Sequence, residues 1–215
     1  MCAAGTTPCS EVRNHLGKNR KYAAEAAIFA APTFLTPYII EGFPHLASFE
    51  YSPWLTANLT VDRPPRGAST LERAWDNVVL DSPTLGYVDA THQTLRTQVD
   101  RSVWTFYWAL ADGPPSANRA KLLSTDWAYW KNATLDDLER VHPDIRSCVS
   151  RIDIMRMGHA MIRPTVGSVF AREHRRLAQW RGRLQFANSD LSSLSLFEEA
   201  QFRGITAAEN ILGIL

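Results

Sequence analysis

The chain has 215 residues, of which 45% are hydrophobic and 21% charged, and its formal net charge is +1. That length can bury a sizeable core in one domain or two small ones, and the near-neutral balance excludes broad binding to nucleic acid or to acidic membranes. Cys2, Cys9 and Cys148 are odd in number and form no C-x-x-C pair, so neither a disulfide framework nor a zinc site is indicated and the expectation is reduced thiols in a cytoplasmic protein.

Residues 1–21 are mixed and polar, and the first ten lack the basic start and apolar run of a signal peptide. The expectation is a poorly ordered lead-in. The longest apolar stretch, residues 22–40, is interrupted by Glu25, Pro32 and Pro37 and is too broken to span a bilayer. Within it, residues 24–32 read as a buried strand stopped by proline, and residues 34–40 as a short helical turn. Residues 54–61 alternate and carry β-branched side chains, which predicts a strand, ended at Arg63-Pro64-Pro65-Arg66-Gly67. Residues 76–81 and 86–92 read as two more strands joined by Ser82-Pro83-Thr84.

The clearest strand covers residues 102–111. Trp104, Phe106, Trp108 and Leu110 line one face, with Val103, Thr105, Tyr107 and Ala109 on the other. An aromatic stripe of this kind usually packs a core; the sharper use is the wall of a substrate pocket. Strands so close together with short connections suggest an antiparallel sheet. After the Asp112-Gly-Pro-Pro-Ser116 break, helices are predicted over residues 118–131 and 135–141, the second capped by Thr134. His142-Pro143 closes them. A turn and a strand (residues 150–157) then lead into Gly158-His159-Ala160-Met161-Ile162-Arg163-Pro164. Residues 172–183 are basic and enclose Trp180; they read as a solvated face rather than a nucleic-acid patch. Asn58-Leu-Thr60 and Asn132-Ala-Thr134 match the glycosylation pattern.

The informative stretch is residues 182–212. Leu184, Phe186 and Ala187 form a short strand, and residues 188–195 a turn rich in Ser, Asp and Asn. Ser195 and Glu198 fit a capping box. A helix follows with Phe197, Ala200, Gly204, Ala207, Ala208, Ile211 and Leu212 at helical spacing. Gly204 in mid-helix suggests tight packing against the small-residue face. A strand, a carboxylate in the turn and a helix N-terminus aimed back at it suit a phosphate or an electron-rich ring edge.

Gly182-Arg183-Leu184-Gln185-Phe186-Ala187-Asn188-Ser189-Asp190, followed by Glu198-Glu199-Ala200, Gly204 and Ala207-Ala208, resembles the C-terminal flavin-binding stretch of FAD-dependent amine-oxidase-like oxidoreductases. Two positions depart from that pattern. Asn188 replaces the turn glycine, and Asn tolerates left-handed geometry better than most residues. Glu199 replaces the glycine before Ala200 and would put bulk and charge near the ring.

The resemblance implies an α+β fold. An antiparallel or mixed substrate-domain sheet with flanking helices would occupy residues 22–171. Residues 172–215 would be the strand–turn–helix of an incomplete FAD-binding domain, with the strand at 24–32 shared between the two. It further implies FAD as cofactor, with Ser189 and Asp190 toward the ribityl or pyrophosphate region and Phe197, Glu198 and Ala200 at the isoalloxazine edge. The plainer readings are an Asx turn for Asp190 and the capping box alone for Glu198. His159 is the one histidine to test for a role at the reactive face, its plainer reading being structural. No general base is assigned.

The phosphate-gripping G-x-G-x-x-G turn is missing, because the closest glycines are Gly158 with Gly167 and Gly204 with Gly213. The expectation is therefore a C-terminal portion, inactive alone, whose dinucleotide-binding half lies elsewhere in a longer gene or on a partner chain. The alternatives are a remnant without flavin, or a non-catalytic module whose small-residue helix face docks on another chain. No nucleic-acid partner and no membrane span are expected.

Overall fold

The computed structural model of the chain describes residues 9–13, 18–66, 74–93 and 100–215. They divide into two units, one formed by Met1–Glu50 with Ile162–Leu215 and the other by Tyr51–Met161.

The first unit begins with a hairpin. β1 (Cys9–Arg13) pairs antiparallel with β2 (Asn19–Ala23), Cys9 opposite Ala23 and Arg13 opposite Asn19. The lead-in expected to be poorly ordered is thus paired over its described part; Cys2 and the rest of residues 1–8 and 14–17 lie outside the described residues. β2 is exposed along its whole length. Its pairing rests on backbone hydrogen bonds, which leave no apolar pattern to read. β3 is Ala27–Phe29, only three residues of the stretch read as a strand, and Ile28 is 45% exposed rather than buried. Thr33–Leu35 forms a 3-10 turn that runs into α1 (Thr36–Ile39), with Pro37 in the first turn where its missing N–H costs nothing.

The second unit is a five-stranded sheet packed on helices. Its strands are β4 (Tyr51–Val61), β5 (Asp76–Asn77), β6 (Gly86–Asp89), β7 (Ser102–Ala109) and β8 (Val149–Ile162), in the order β5-β6-β7-β4-β8. β4 and β7 run antiparallel, with Leu55 opposite Trp108, Ala57 opposite Phe106 and Leu59 opposite Trp104. The aromatic stripe is core: Phe106 is fully buried, Trp104 and Leu110 nearly so, and Trp108 meets Trp130 edge-on at 5.7 Å.

Two predicted strands are cut short by local chemistry. The Ser82 and Thr84 hydroxyls donate to the buried Asp137 carboxylate at 2.8 and 2.7 Å, so the chain turns instead of continuing β5. β6 gives way to a 3-10 turn at Ala90–Gln93. Gly86 has φ +82°, and a Cβ there would lie 1.9 Å from the Asn77 carbonyl oxygen; only glycine fits.

The helices divide differently from the prediction. α2 is Pro115–Ser124 and α3 is Trp127–Glu139, separated at Thr125-Asp126. Asp126, not Thr134, is the cap, its carboxylate accepting from the Tyr129 N–H at 2.8 Å. Thr134 is an interior residue with no exposure. The short α4 (Ile145–Cys148) precedes β8, which runs five residues past the predicted strand and takes in His159. The α+β class and the antiparallel sheet with flanking helices are as expected.

The first unit resumes with α5 (Arg172–Ala178), β9 (Leu184–Phe186) and α6 (Phe197–Leu212). β9 pairs parallel with β3, Phe29 opposite Phe186. Phe43, Trp180 and Phe186 pack around that pair with ring centroids 5.4 to 6.3 Å apart. No helix among the described residues is long and apolar enough to cross a membrane.

Candidate functional site

The turn after β9 is built by its own polar side chains. The Asn188 side-chain oxygen accepts from the Asp190 N–H at 2.9 Å, an Asx turn that starts a 3-10 segment over Ser189–Ser192. Ser193 closes it with φ +57° and no exposure. Its N–H donates to the Asp190 carbonyl at 2.9 Å. Asp190 is 5% exposed, and its carboxylate faces inward, accepting the Thr33 N–H at 2.8 Å. It thereby ties the exit of β3 to the turn after β9.

A histidine behind the turn holds it in place. His174 on α5 is 2% exposed and stacks on Phe49 at 3.8 Å. Its Nε2–H donates to the Ser48 carbonyl at 3.1 Å, which leaves Nδ1 to accept from the Ser193 hydroxyl at 3.0 Å. The neighbouring Glu173 accepts from the Ser48 hydroxyl and N–H. Those two hydrogen bonds hold its carboxyl below the usual range.

α6 starts without the expected capping box. Its N-cap is Leu196, with no side-chain cap. The Ser195 hydroxyl oxygen instead accepts the Ile162 N–H at 3.2 Å. Glu198 falls in the first turn without a capping partner, and Glu199 follows it. Among the described residues the Phe197, Glu198 and Glu199 N–H groups have no hydrogen-bond partner; the next along, of Ala200, donates to Leu196. The start of this helix therefore keeps its partial positive charge open.

The five residues assigned to flavin contact take different positions. Ser189 is half-buried in the turn and Asp190 is buried, whereas Phe197, Glu198 and Ala200 are exposed on the first turns of α6. A cleft of about 560 Å³ opens beside them, lined by His174, Arg175, Leu191, Ser192, Glu199 and Arg203 among others. It is walled by the neighbours of those five rather than by the five themselves. Sequence reasoning passed over His174 and Ser193, since a lone buried histidine gives no spacing signal. Gly204, expected to mark tight packing, has nothing within 4 Å of where a Cβ would sit.

His159 belongs to the other unit. It is exposed on β8, meets the Tyr51 ring edge-on at 6.1 Å, and is pushed to a lower pKa by burial and by the Arg119 charge. In the two glycosylation sequons Asn58 and Asn132 are exposed; the Asn58 oxygen accepts from the Thr105 hydroxyl, and Thr134 is buried. No group of three or more His, Cys, Asp or Glu among the described residues could hold a metal ion.

No protein-family model and no curated protein matches the chain. Solved structures do. One is a protein assigned as a protoporphyrinogen oxidase from Exiguobacterium sp. 255-15, at 15% identity and a TM-score of 0.54 over 94% of this chain and 47% of that one. Cyclohexylamine oxidase from Brevibacterium oxydans IH-35A matches at 13% identity and 0.60, over 91% and 44%. Putrescine oxidase matches at 14% and 0.57, over 89% and 44%. The chain has their fold and spans slightly less than half the length of each. That fold is the one the resemblance of residues 182–212 implies.

Proposed function

We propose that the chain is the C-terminal part of an FAD-dependent, amine-oxidase-like oxidoreductase, working only with a dinucleotide-binding segment that these 215 residues do not contain. The observation that carries this reading is the open start of α6, directly after a turn held rigid by Asp190, Ser193 and His174. The fold shared with three oxidases, two of them named for an amine substrate, supports it.

The residues present fit the edge of a flavin. Three first-turn N–H groups without partners can receive an electron-rich N1–C2=O edge, and Phe197 offers an apolar ring beside them. Glu198 and Glu199 place negative charge at the same turn, which opposes build-up of charge on a reduced ring. Bound flavin would accept hydride from the substrate, so the protein's task is to hold and orient the two rather than to supply an acid or base. Asp190 serves by shaping the turn through Thr33, and Ser189 would lie toward the ribityl or pyrophosphate region. His159, whose pKa burial and the Arg119 charge push down, is the histidine to test at the reactive face.

Co-expression of the chain with a strand–G-x-G-x-x-G–helix dinucleotide-binding segment supplied as a second polypeptide tests this. The expected product is a purified protein with flavin absorbance and turnover of a primary amine. A folded complex that carries no flavin after incubation with FAD would leave the second reading, a non-catalytic module, which the exposed apolar side of α6 favours.

A further inference from the structure

Three charged side chains line the cleft between α5 and α6 without neutralising one another. Arg175 comes from α5, and Glu199 and Arg203 come from α6. Glu199 precedes Arg203 by four residues, the spacing at which opposite charges ordinarily pair along a helix. Yet among the described residues neither of these arginines, nor Glu199, makes an ion pair.

Each guanidinium is fixed instead by one hydrogen bond to a neutral oxygen. Arg203 Nε donates to the Ser192 hydroxyl at 2.9 Å, and its guanidinium lies over the Phe202 ring at 5.3 Å. Both of its Nη groups are left without a partner among the described residues. Arg175 Nη2 donates to the Phe170 carbonyl at 3.1 Å, which leaves its Nε and Nη1 in the same condition. His174 in the same wall has both ring nitrogens engaged, by Ser48 and Ser193, and adds no donor. The apolar part of the lining comes from Leu191, Leu194 and Phe202.

We infer that this cleft binds a small organic monoanion, a carboxylate carrying an apolar or aromatic body. Planar guanidinium forks match the paired oxygens of a carboxylate. At about 560 Å³ the cleft has the size of a small-molecule site, and it combines apolar walls with a few convergent polar groups as such sites do. Two positive charges against one negative leave a surplus of one, which a single carboxylate neutralises. A dianion would keep an unbalanced charge beside Glu199 and is selected against. The ligand is not the flavin, so this inference stands or falls independently of the proposed function.

Isothermal titration of the 215-residue chain with 2-naphthylacetate tests it, beside the neutral 2-(2-naphthyl)ethanol and the dianionic 2-naphthylmethylphosphonate. The expected result is saturable binding of the carboxylate with a Kd below about 1 mM, about tenfold or more tighter than either analogue. Arg175→Gln and Arg203→Gln each weaken it about tenfold; Arg175 makes no bond to the turn, so its variant reads the ligand contact even where Arg203→Gln loosens Ser192. Glu199→Gln tightens the carboxylate and narrows its lead over the phosphonate, an effect that a merely structural glutamate does not give. Arg151→Gln, at an exposed arginine of the other unit paired with Asp153, leaves the affinity unchanged. No saturation at about 10 mM, equal affinity for the alcohol, wild-type affinity in both Arg175→Gln and Arg203→Gln, or weaker binding in Glu199→Gln overturns the inference.

Discussion

Asp190 shows how a residue chosen for one chemistry can serve another. Its carboxylate accepts the Thr33 N–H inside the first unit, so Asp190→Ala leaves a buried donor without that acceptor. The expected cost is about 1–3 kcal/mol, read as a lower urea midpoint. Asp190→Asn keeps an acceptor and should stay near wild type. In the second unit Tyr87 and His142 make a sharper case. The Tyr87 hydroxyl donates to His142 Nε2 at 2.6 Å, and Trp104 stacks on the Tyr87 ring at 4.3 Å.

Burial, with the Asp89 charge, pushes the Tyr87 pKa up to about 12, and burial pushes His142 down from 6.5. Above pH 10 the unfolded chain loses the Tyr87 proton that the folded chain keeps, so stability falls as pH rises toward 12. Below 6.5 the unfolded chain binds the His142 proton first, so stability falls with acidification. Thermal midpoints across pH should show both losses, and Tyr87→Phe should remove the alkaline one. None of this was legible in the sequence, because Tyr87 and His142 are brought together only by the packing of β6 beside the end of α3. The polar turn after β9 was legible, but the sequence reading puts its Asx turn at Asp190; it is the Asn188 oxygen that accepts from the Asp190 N–H, and Asn188 itself is extended at φ −149°.

Among elements, the strands were readable where alternation met a buried face, and not elsewhere. β4 and β7 alternate because one side of each packs on α2 and α3, and both were found within a few residues of their ends. β2 has no such face, being exposed throughout, and left no trace in the pattern. The helices show a competition of caps. Ser124-Thr125-Asp126 carries the stronger cap chemistry, but the apolar spacing through Leu123, Trp127 and Trp130 reads as one continuous helix. Asp126→Ala should cost about 1 kcal/mol, whereas Ala at Thr134 removes only a buried hydroxyl with no hydrogen-bond partner and should be near neutral or stabilising. Gly86→Ala is the severe case. A left-handed φ and a contact at 1.9 Å should together cost about 3 kcal/mol or more, seen as loss of a cooperative unfolding transition in the second unit.

At the scale of the whole molecule, the resemblance was carried by a strand, a turn and a helix in one stretch of sequence, and those three elements are present. What the sequence did not reveal is which side of α6 is buried. Spacing marks an apolar stripe and suggests it faces inward, yet of that stripe Ala207 alone is buried, with Arg203 and Asn210 bonding on the same inward side, while Phe197, Ala200, Ala208 and Leu212 are exposed. The two units also share one economy: each uses a buried carboxylate, Asp137 or Asp190, to hold a turn through a distant segment.

The central claim is that the turn at Asp190 and the start of α6 seat a flavin. Flavin occupancy, measured by visible absorbance per chain in the complex completed with its dinucleotide-binding segment, tests it most directly in three variants. The account expects Asp190→Ala to lose the flavin, Asp190→Asn to keep it through the Thr33 hydrogen bond, and Asp136→Ala, at an exposed residue paired with Arg146, to keep it as well. Equal occupancy in Asp190→Ala and Asp136→Ala would contradict the site.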